Sequence, residues 1–314
     1  MKNVFTPAAP CLADTALHNT PSGAALFAAI GGHYATPAQV VFELLDNAIA
    51  GTLAVDKAGE ILLRVKEDGE FVELSVSDNG EGIADLGAAL TISKCSGLTP
   101  YNEHGCGLKS ALSYFCNGDG MWSLESRTAA DAARNRYRCV MSPYLAIDGT
   151  MHAGFYEGQG SVGHETGTCI RIRCARSKLE GLKPATKRTQ VGFRQLVAYL
   201  EEEVAYTYAP LLASEMVRIC IVVGDEKPRQ LTALEPVWEG TPSKVPAFVT
   251  DLGGGPVTIR CRYGTMPPKE SILIGERHPK EVESLVEQLN TQCDPTGLPY
   301  HFTLRTWREE GITA

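Results

Sequence analysis

Glu43-Leu44-Leu45-Asp46-Asn47-Ala48 sits inside a run that announces a helix at both the cap and the face. Thr36 offers an N-cap and Pro37 a proline at the first helical position. From there Val40, Val41, Leu44, Leu45 and Ile49 recur at helical spacing as far as about Ala50. Glu43 and Asn47, four residues apart, project from one face, with Asp46 close beside them. Such a face suits a metal ion and a water molecule. Hydrolysis of a phosphoanhydride needs a carboxylate to orient or deprotonate the attacking water, and an oxygen ligand for the cation that bridges the phosphates. Taken alone, the hexapeptide is read equally well as an amphipathic helix with an ordinary polar face.

Outward from this helix the period changes from 3.6 to 2. Residues 61–66 and 71–77 alternate apolar and polar across Asp68-Gly69, the pattern of a β-hairpin. The hairpin ends in Asp78-Asn79-Gly80-Glu81-Gly82-Ile83. A carboxylate at a strand end can accept a hydrogen bond from an adenine amino group while glycines let the backbone pass close to the base. By itself, Asp-Asn-Gly is also a tight turn. A third segment, Glu103-His104-Gly105-Cys106-Gly107-Leu108-Lys109-Ser110, leads into the apolar Ala111-Leu112. Glycines ahead of a helix leave N–H groups facing phosphate oxygens, and Lys109 adds a full charge. The order is not that of a P-loop, and His104 reads as a lid or surface residue. The fourth segment, Thr166-Gly167-Thr168, opens an apolar strand, where a threonine hydroxyl can support the base-reading carboxylate.

Strands are predicted at residues 122–126, 137–141 and 169–174, giving one sheet with helices on a face and an α+β class. Residues 1–25, rich in Ala, Pro and Thr, read as an N-terminal arm or strap. A second unit is expected to start near Val191, with a helix over residues 191–208, a strand over 216–223, and a loop or linker over 241–255.

Composition bounds these readings. A chain of 314 residues accommodates two ordinary domains, and 44% hydrophobic with 21% charged residues is a globular balance. The net charge of −8 argues against overall attraction to DNA or anionic membranes, leaving room for a local patch such as Lys183, Lys187, Arg188 and Arg194. Ten cysteines are scattered without a C-x-x-C pair, as expected of reduced, mostly buried thiols in a cytoplasmic protein. No apolar run reaches the roughly 18 residues that span a bilayer, and no signal peptide is evident.

In this order and approximate spacing, the four segments resemble the motifs of the GHKL ATPase superfamily, which includes gyrase B, the ninety-kilodalton heat-shock chaperones, histidine kinases and MutL. The resemblance covers about residues 25–175. It implies a Bergerat-type α/β sandwich over residues 26–180, with ATP and Mg²⁺ as cofactors. Glu43 would be the general base and Asn47 the Mg²⁺ ligand, with Asp46 beside them in the nucleotide site. Asp78 would bind the adenine amino group, with Gly80, Gly82 and Ile83 shaping the pocket. Gly105, Cys106, Gly107, Leu108, Lys109 and Ser110 would form the lid over the phosphates, and Thr168 would complete the adenine site.

Gly-Cys-Gly-Leu-Lys-Ser looks most like the MORC ATPases, and the glutamate at position 43 like the hydrolysing branch. Only about 35 residues precede the first helix, too few for the dimerisation hairpin of a histidine kinase. Residues 190–314 would then be similar to a smaller, incomplete transducer domain, with Lys269 the candidate to reach the γ-phosphate. The implied function is a slow ATPase acting as a nucleotide-gated dimerisation switch or clamp on DNA or a protein client, cytoplasmic or, in a eukaryote, nuclear. The alternative is an ATP-binding regulatory module with negligible hydrolysis.

Overall fold

The structure, a computed structural model, describes residues 11–17, 29–32, 34, 36–55, 58–91, 106–116, 121–147, 150–161, 163–183, 191–234, 240–244, 247–251, 256–259 and 262–263. The chain divides into two compact units, Met1–Ala233 and Leu234–Ala314. Strands of the first unit are β1 (Cys11–Leu17), β2 (Gly59–Asp68), β3 (Phe71–Asp78), β4 (Met121–Arg127), β5 (Arg136–Ile147), β6 (Thr150–Gln159), β7 (Gly167–Ala175), β8 (Val217–Val223) and β9 (Arg229–Gln230). Among the described residues they form one nine-stranded sheet in the order β1-β6-β5-β4-β7-β3-β2-β8-β9. Every neighbouring pair is antiparallel except β2 with β8. Its helices are α1 (Pro37–Leu53), α2 (Leu86–Leu90), α3 (Gly107–Cys116), α4 (Ala129–Ala132), α5 (Phe193–Thr207) and α6 (Ala209–Ala213). The α+β class read from the sequence is the one observed.

Helix α1 begins as its sequence dictates. Thr36 is extended at φ −139°, its hydroxyl accepts from the Gln39 N–H, and the Gln39 side chain accepts from the Thr36 N–H, a reciprocal capping box ahead of Pro37. Val40, Val41, Leu45 and Ile49 are fully buried. Each such side chain contributes about 1.5–3 kcal/mol by leaving water. The helix lies against β2, β3, β7 and β8, and α3 runs beside it. Its core partners include Leu63, Val65, Leu74, Trp122, Leu124, Ile170 and Ile172. The β2–β3 hairpin turns at Gly69, whose φ of +62° is a left-handed conformation open to glycine.

Three parts of the chain are organised differently from the sequence reading. Within the N-terminal arm, Cys11–Leu17 is a strand that adds to the sheet beside β6. The boundary expected near Val191 is corrected, because α5, α6 and β8 belong to the first unit and the division falls after Ala233. The physical reason is the pairing of β8 in parallel with β2, from Gly59↔Val217 to Val65↔Val223. A parallel partner needs a long crossover, and the helical segment between β7 and β8 supplies it. In the second unit, the loop expected over residues 241–255 contains two short strands. β10 (Ser243–Lys244) pairs with β13 (Arg262–Tyr263), and β11 (Phe248–Asp251) with β12 (Pro256–Ile259). No described helix is long and apolar enough to cross a membrane.

Candidate functional site

Helices α1 and α3 bring the first and third sequence motifs together. Glu43, half-buried on α1, places its carboxylate against Gly107, the first residue of α3; a Cβ at position 107 would overlap Glu43 Oε2. Only glycine leaves room for that approach, and the N-terminal end of a helix is a favourable place for negative charge. One turn after Glu43, the Asn47 amide nitrogen donates to the Glu43 carbonyl at 2.5 Å. Because only the NH₂ group can donate, this bond turns Asn47 Oδ1 away from the helix backbone. In the first turn of α3, Leu108 is half-buried, Lys109 is 4% exposed and Ser110 is 2% exposed, while the half-buried Cys106 accepts the Ser110 N–H at 2.8 Å.

The second and fourth motifs meet at the end of β3. Asp78 Oδ1 accepts from the Gly80 N–H at 2.8 Å and from the Thr168 N–H at 3.2 Å. Asn79 ties the next residue down, accepting from the Glu60 N–H at 2.8 Å and donating to the Ala58 carbonyl at 3.0 Å. Gly80 then passes so near the Gly51 backbone of α1 that a Cβ would overlap it. At Gly82 the chain turns with φ +76°, and a Cβ there would meet the Arg127 carbonyl oxygen at 2.5 Å. Ile83 is half-buried, and its N–H donates to Ser126 Oγ at 2.6 Å. The loop is therefore stitched to α1 on one side and to β4 on the other.

Arginines that the motifs do not contain complete this scaffold. Arg138 donates to the carbonyls of Ile83 and Ala84 at 2.8 and 2.6 Å and to Asp131 at 2.8 Å. The Asp131 carboxylate also accepts from Thr128 and Arg136. Arg127, 7% exposed, donates to the carbonyls of Arg136 and Glu165. Burial alone would push the Asp131 carboxyl up, but hydrogen bonds from Thr128 and then Arg138 reverse this and hold it below the ordinary carboxylate range. Its contribution to stability is thus complete above the unfolded value of about 3.9 and fades as pH falls through the lower folded value. Asp131→Asn is expected to destabilise the protein by about 1–3 kcal/mol at neutral pH. Urea unfolding from pH 6 to pH 3 should show the gap to wild type narrowing below about pH 4; a constant gap would contradict the assigned network.

Asp46, expected beside Glu43 and Asn47 in the nucleotide site, is 2% exposed, and its carboxylate accepts from the Tyr208 hydroxyl at 2.8 Å. Tyr208 also donates to the Phe42 carbonyl and stacks edge-on against the Phe42 ring, so Asp46 is an internal acceptor that holds α1 to the α5–α6 bend. The Thr168 contact to Asp78 runs through its backbone N–H. Gly105, His104 and Lys269 lie outside the described residues. Sequence reasoning passed over the half-buried Tyr34, whose phenol is pushed well above its ordinary range by burial first and then by the nearby Glu43 carboxylate. Cys106, Cys116, Cys139, Cys169, Cys174 and Cys220 are free thiols. Burial pushes Cys169 up to about 11 and Cys139 and Cys174 up to about 12, so these three are protonated and inert at neutral pH.

Comparison with known proteins adds to this geometry. Residues 32–126 match the model of the histidine kinase-, DNA gyrase B- and HSP90-like ATPase family. Comparison with curated proteins gives no match. Among solved structures, the ATPase and transducer domains of DNA topoisomerase II from Balamuthia mandrillaris align with a TM-score of 0.40 and 12% identity, over 62% of this chain and 48% of that chain. This chain therefore spans about half the length of that structure. From just before the capped start of α1 to Ser126 of β4, the chain is similar to the histidine kinase-, gyrase B- and HSP90-like ATPases, the superfamily that its motifs resemble.

Proposed function

We propose that the first unit binds Mg·ATP and hydrolyses it slowly, and that bound nucleotide gates the association of two copies of the chain. The observation that carries this reading is the Glu43 carboxylate at the N-terminal end of α3, one turn from an Asn47 amide whose oxygen is turned outward. The donor set fits a hard cation, since Asn47 Oδ1 is a neutral oxygen ligand of the kind Mg²⁺ takes alongside phosphate oxygens and water. When bound, the ion neutralises charge on the phosphates.

The remaining roles belong to the protein. Asp78, fixed by two backbone N–H groups, accepts from the adenine amino group. Gly80 and Gly82 bring the backbone close enough to flank the base. N–H groups at the start of α3, with Lys109, face the phosphates. Glu43 takes the proton of the water that attacks the terminal phosphoryl group, and ADP leaves with the bridging oxygen.

Gating by dimerisation, and a clamp or switch role on DNA or a protein client, rest on the resemblance of Gly-Cys-Gly-Leu-Lys-Ser to MORC ATPases. Sedimentation velocity with and without a non-hydrolysable Mg·ATP analogue tests this part. A dimer is expected with the analogue in wild type and not in Asp78→Asn. A wild type that binds the analogue yet stays monomeric would remove the gating and leave a nucleotide-binding module.

A further inference from the structure

We propose that Arg138 is a positioning residue for nucleotide affinity: together with Ser126 it clamps the Ile83 peptide and so holds the base-binding loop in the shape that the nucleotide meets. The inference rests on the loop that follows Asp78 being the adenine site. The clamp itself is independent of that reading.

The loop from Asn79 to Ala84 is anchored differently at its two ends. Upstream, the motif anchors itself, through the Gly80 N–H on Asp78 and the two backbone bonds of Asn79. In the middle, the Glu81 N–H donates to the Gly51 carbonyl at 3.1 Å. Downstream, the anchors come from strands 43 and 55 positions further along the chain. Ser126 Oγ accepts the Ile83 N–H at 2.6 Å, and Arg138 Nη2 donates to the Ile83 carbonyl at 2.8 Å. Arg138 Nη1 takes the next carbonyl, that of Ala84, at 2.6 Å. Ser126 and Arg138 are cross-strand partners on β4 and β5, so their side chains rise side by side from one face of the sheet. Both polar groups of Ile83 are therefore gripped by one pair, and the residue cannot turn without breaking a bond.

Arg138 is itself aimed. Its Nε and Nη2 donate to Asp131 Oδ2 at 3.1 and 2.8 Å, and Asp131 is held in turn by the Thr128 hydroxyl at 2.7 Å and by Arg136 Nε at 3.1 Å. Four N–H groups of one planar fork are thus committed to one carboxylate and two carbonyls, a pattern that the single ammonium of lysine cannot reproduce.

The loop needs such a clamp because of its glycines. Gly80 and Gly82 are required where a Cβ would strike Gly51 and Arg127, yet glycine gives the backbone no stiffness of its own. With the downstream anchor released, Gly82 becomes a free joint and the loop has to be ordered by the nucleotide, a cost that falls on affinity. Glu43 lies on α1 and is not part of this loop, so the rate at saturation is spared.

The experiment compares wild type, Arg138→Met, Arg138→Lys and Ser126→Ala by urea unfolding, by equilibrium binding of a non-hydrolysable Mg·ATP analogue, and by kcat and KM for phosphate release. Both Arg138 variants should raise the analogue Kd and the KM about tenfold, the size of a lost hydrogen bond or two, while kcat stays within about twofold. Arg138→Lys keeps the charge beside Asp131 and should unfold close to wild type, whereas Arg138→Met should unfold earlier. Affinity is thereby separated from stability. Ser126→Ala should raise Kd in the same direction by a smaller factor. The proposal is overturned if a folded Arg138 variant keeps wild-type Kd, if kcat falls along with affinity, or if Arg138→Lys restores affinity together with stability. Should both Arg138 variants unfold, Ser126→Ala reads the same peptide, and an unchanged Kd there overturns the proposal equally. A wild type that binds no analogue, or a folded Asp78→Asn protein that binds it normally, defeats the adenine-site reading and the proposal with it. That failure shows in proteins with Arg138 intact and is distinct from the others.

Discussion

Glu43→Ala is expected to lower ATP turnover by about 10²–10⁴-fold, the usual contribution of a positioned general base, while nucleotide affinity changes by less than about threefold. The split follows from where the side chain sits. Its carboxylate lies against Gly107 at the start of α3, and the carboxylate proposed to read adenine, Asp78, belongs to a strand end. Losing Glu43 therefore removes the proton acceptor and leaves the base-binding loop untouched. A half-buried helical residue whose truncation removes no core methyl should cost little stability, so a cooperative unfolding transition near that of wild type is part of the expected result. Phosphate release and analogue titration on the purified variant decide the matter. Turnover at the wild-type rate would assign Glu43 to the scaffold and leave the protein a binding module.

Asp78→Asn is expected to abolish detectable nucleotide binding without unfolding the chain. Asparagine keeps the shape of aspartate, and its Oδ1 can still accept from the Gly80 and Thr168 N–H groups that Asp78 holds at 2.8 and 3.2 Å. Its NH₂ group, however, replaces an acceptor with a donor, which would confront the donor amino group of adenine. A mismatched buried pair costs about 1–3 kcal/mol for each group left unsatisfied, in addition to the hydrogen bond lost. Asp78→Ala is the harsher change, because it also strips two backbone N–H groups of their acceptor and so confounds binding with folding. Isothermal titration with the Mg·ATP analogue, paired with thermal unfolding, separates the two. Wild-type affinity in a folded Asp78→Asn protein would remove Asp78 from the adenine site.

What the sequence disclosed were features whose cause is local. Thr36 and Pro37 start α1 because a cap and a fixed φ need only their immediate neighbours. Alternation across Asp68-Gly69 makes the hairpin for the same reason. The glycines at 80, 82 and 107 stood out as glycines, although what each one makes room for, Gly51, Arg127 and Glu43 respectively, is set by packing. Asp46 neighbours Glu43 and Asn47 in the sequence, but the tyrosine that donates to it lies 162 positions further on, out of reach of any local pattern. Ser126 and Arg138 support the Asp78–Ile83 loop through sheet register, where Ser126 lies opposite Arg138 on one side and Thr168 on the other. Tyr34, whose phenol feels the Glu43 carboxylate, lies outside every motif. The place of β8 was hidden because a parallel partner leaves no turn signature.

The insertion of β7 between β3 and β4 sets the order in which the molecule can be made. The stretch similar to the ATPase family ends at residue 126, when β3 and β4 have been synthesised but the strand that joins them has not. Until residues 167–175 leave the ribosome, the sheet exists as separate pieces, and the apolar faces of β3, β4 and α1 have no finished core to enter. β8 arrives later still to cover the flank of β2. Long-range pairing of this kind folds slowly and exposes sticky surface while it waits. A polypeptide cut after residue 126 would retain most of the motifs yet lack the strand that closes its sheet, so a shortened version of this protein has to run at least through β8.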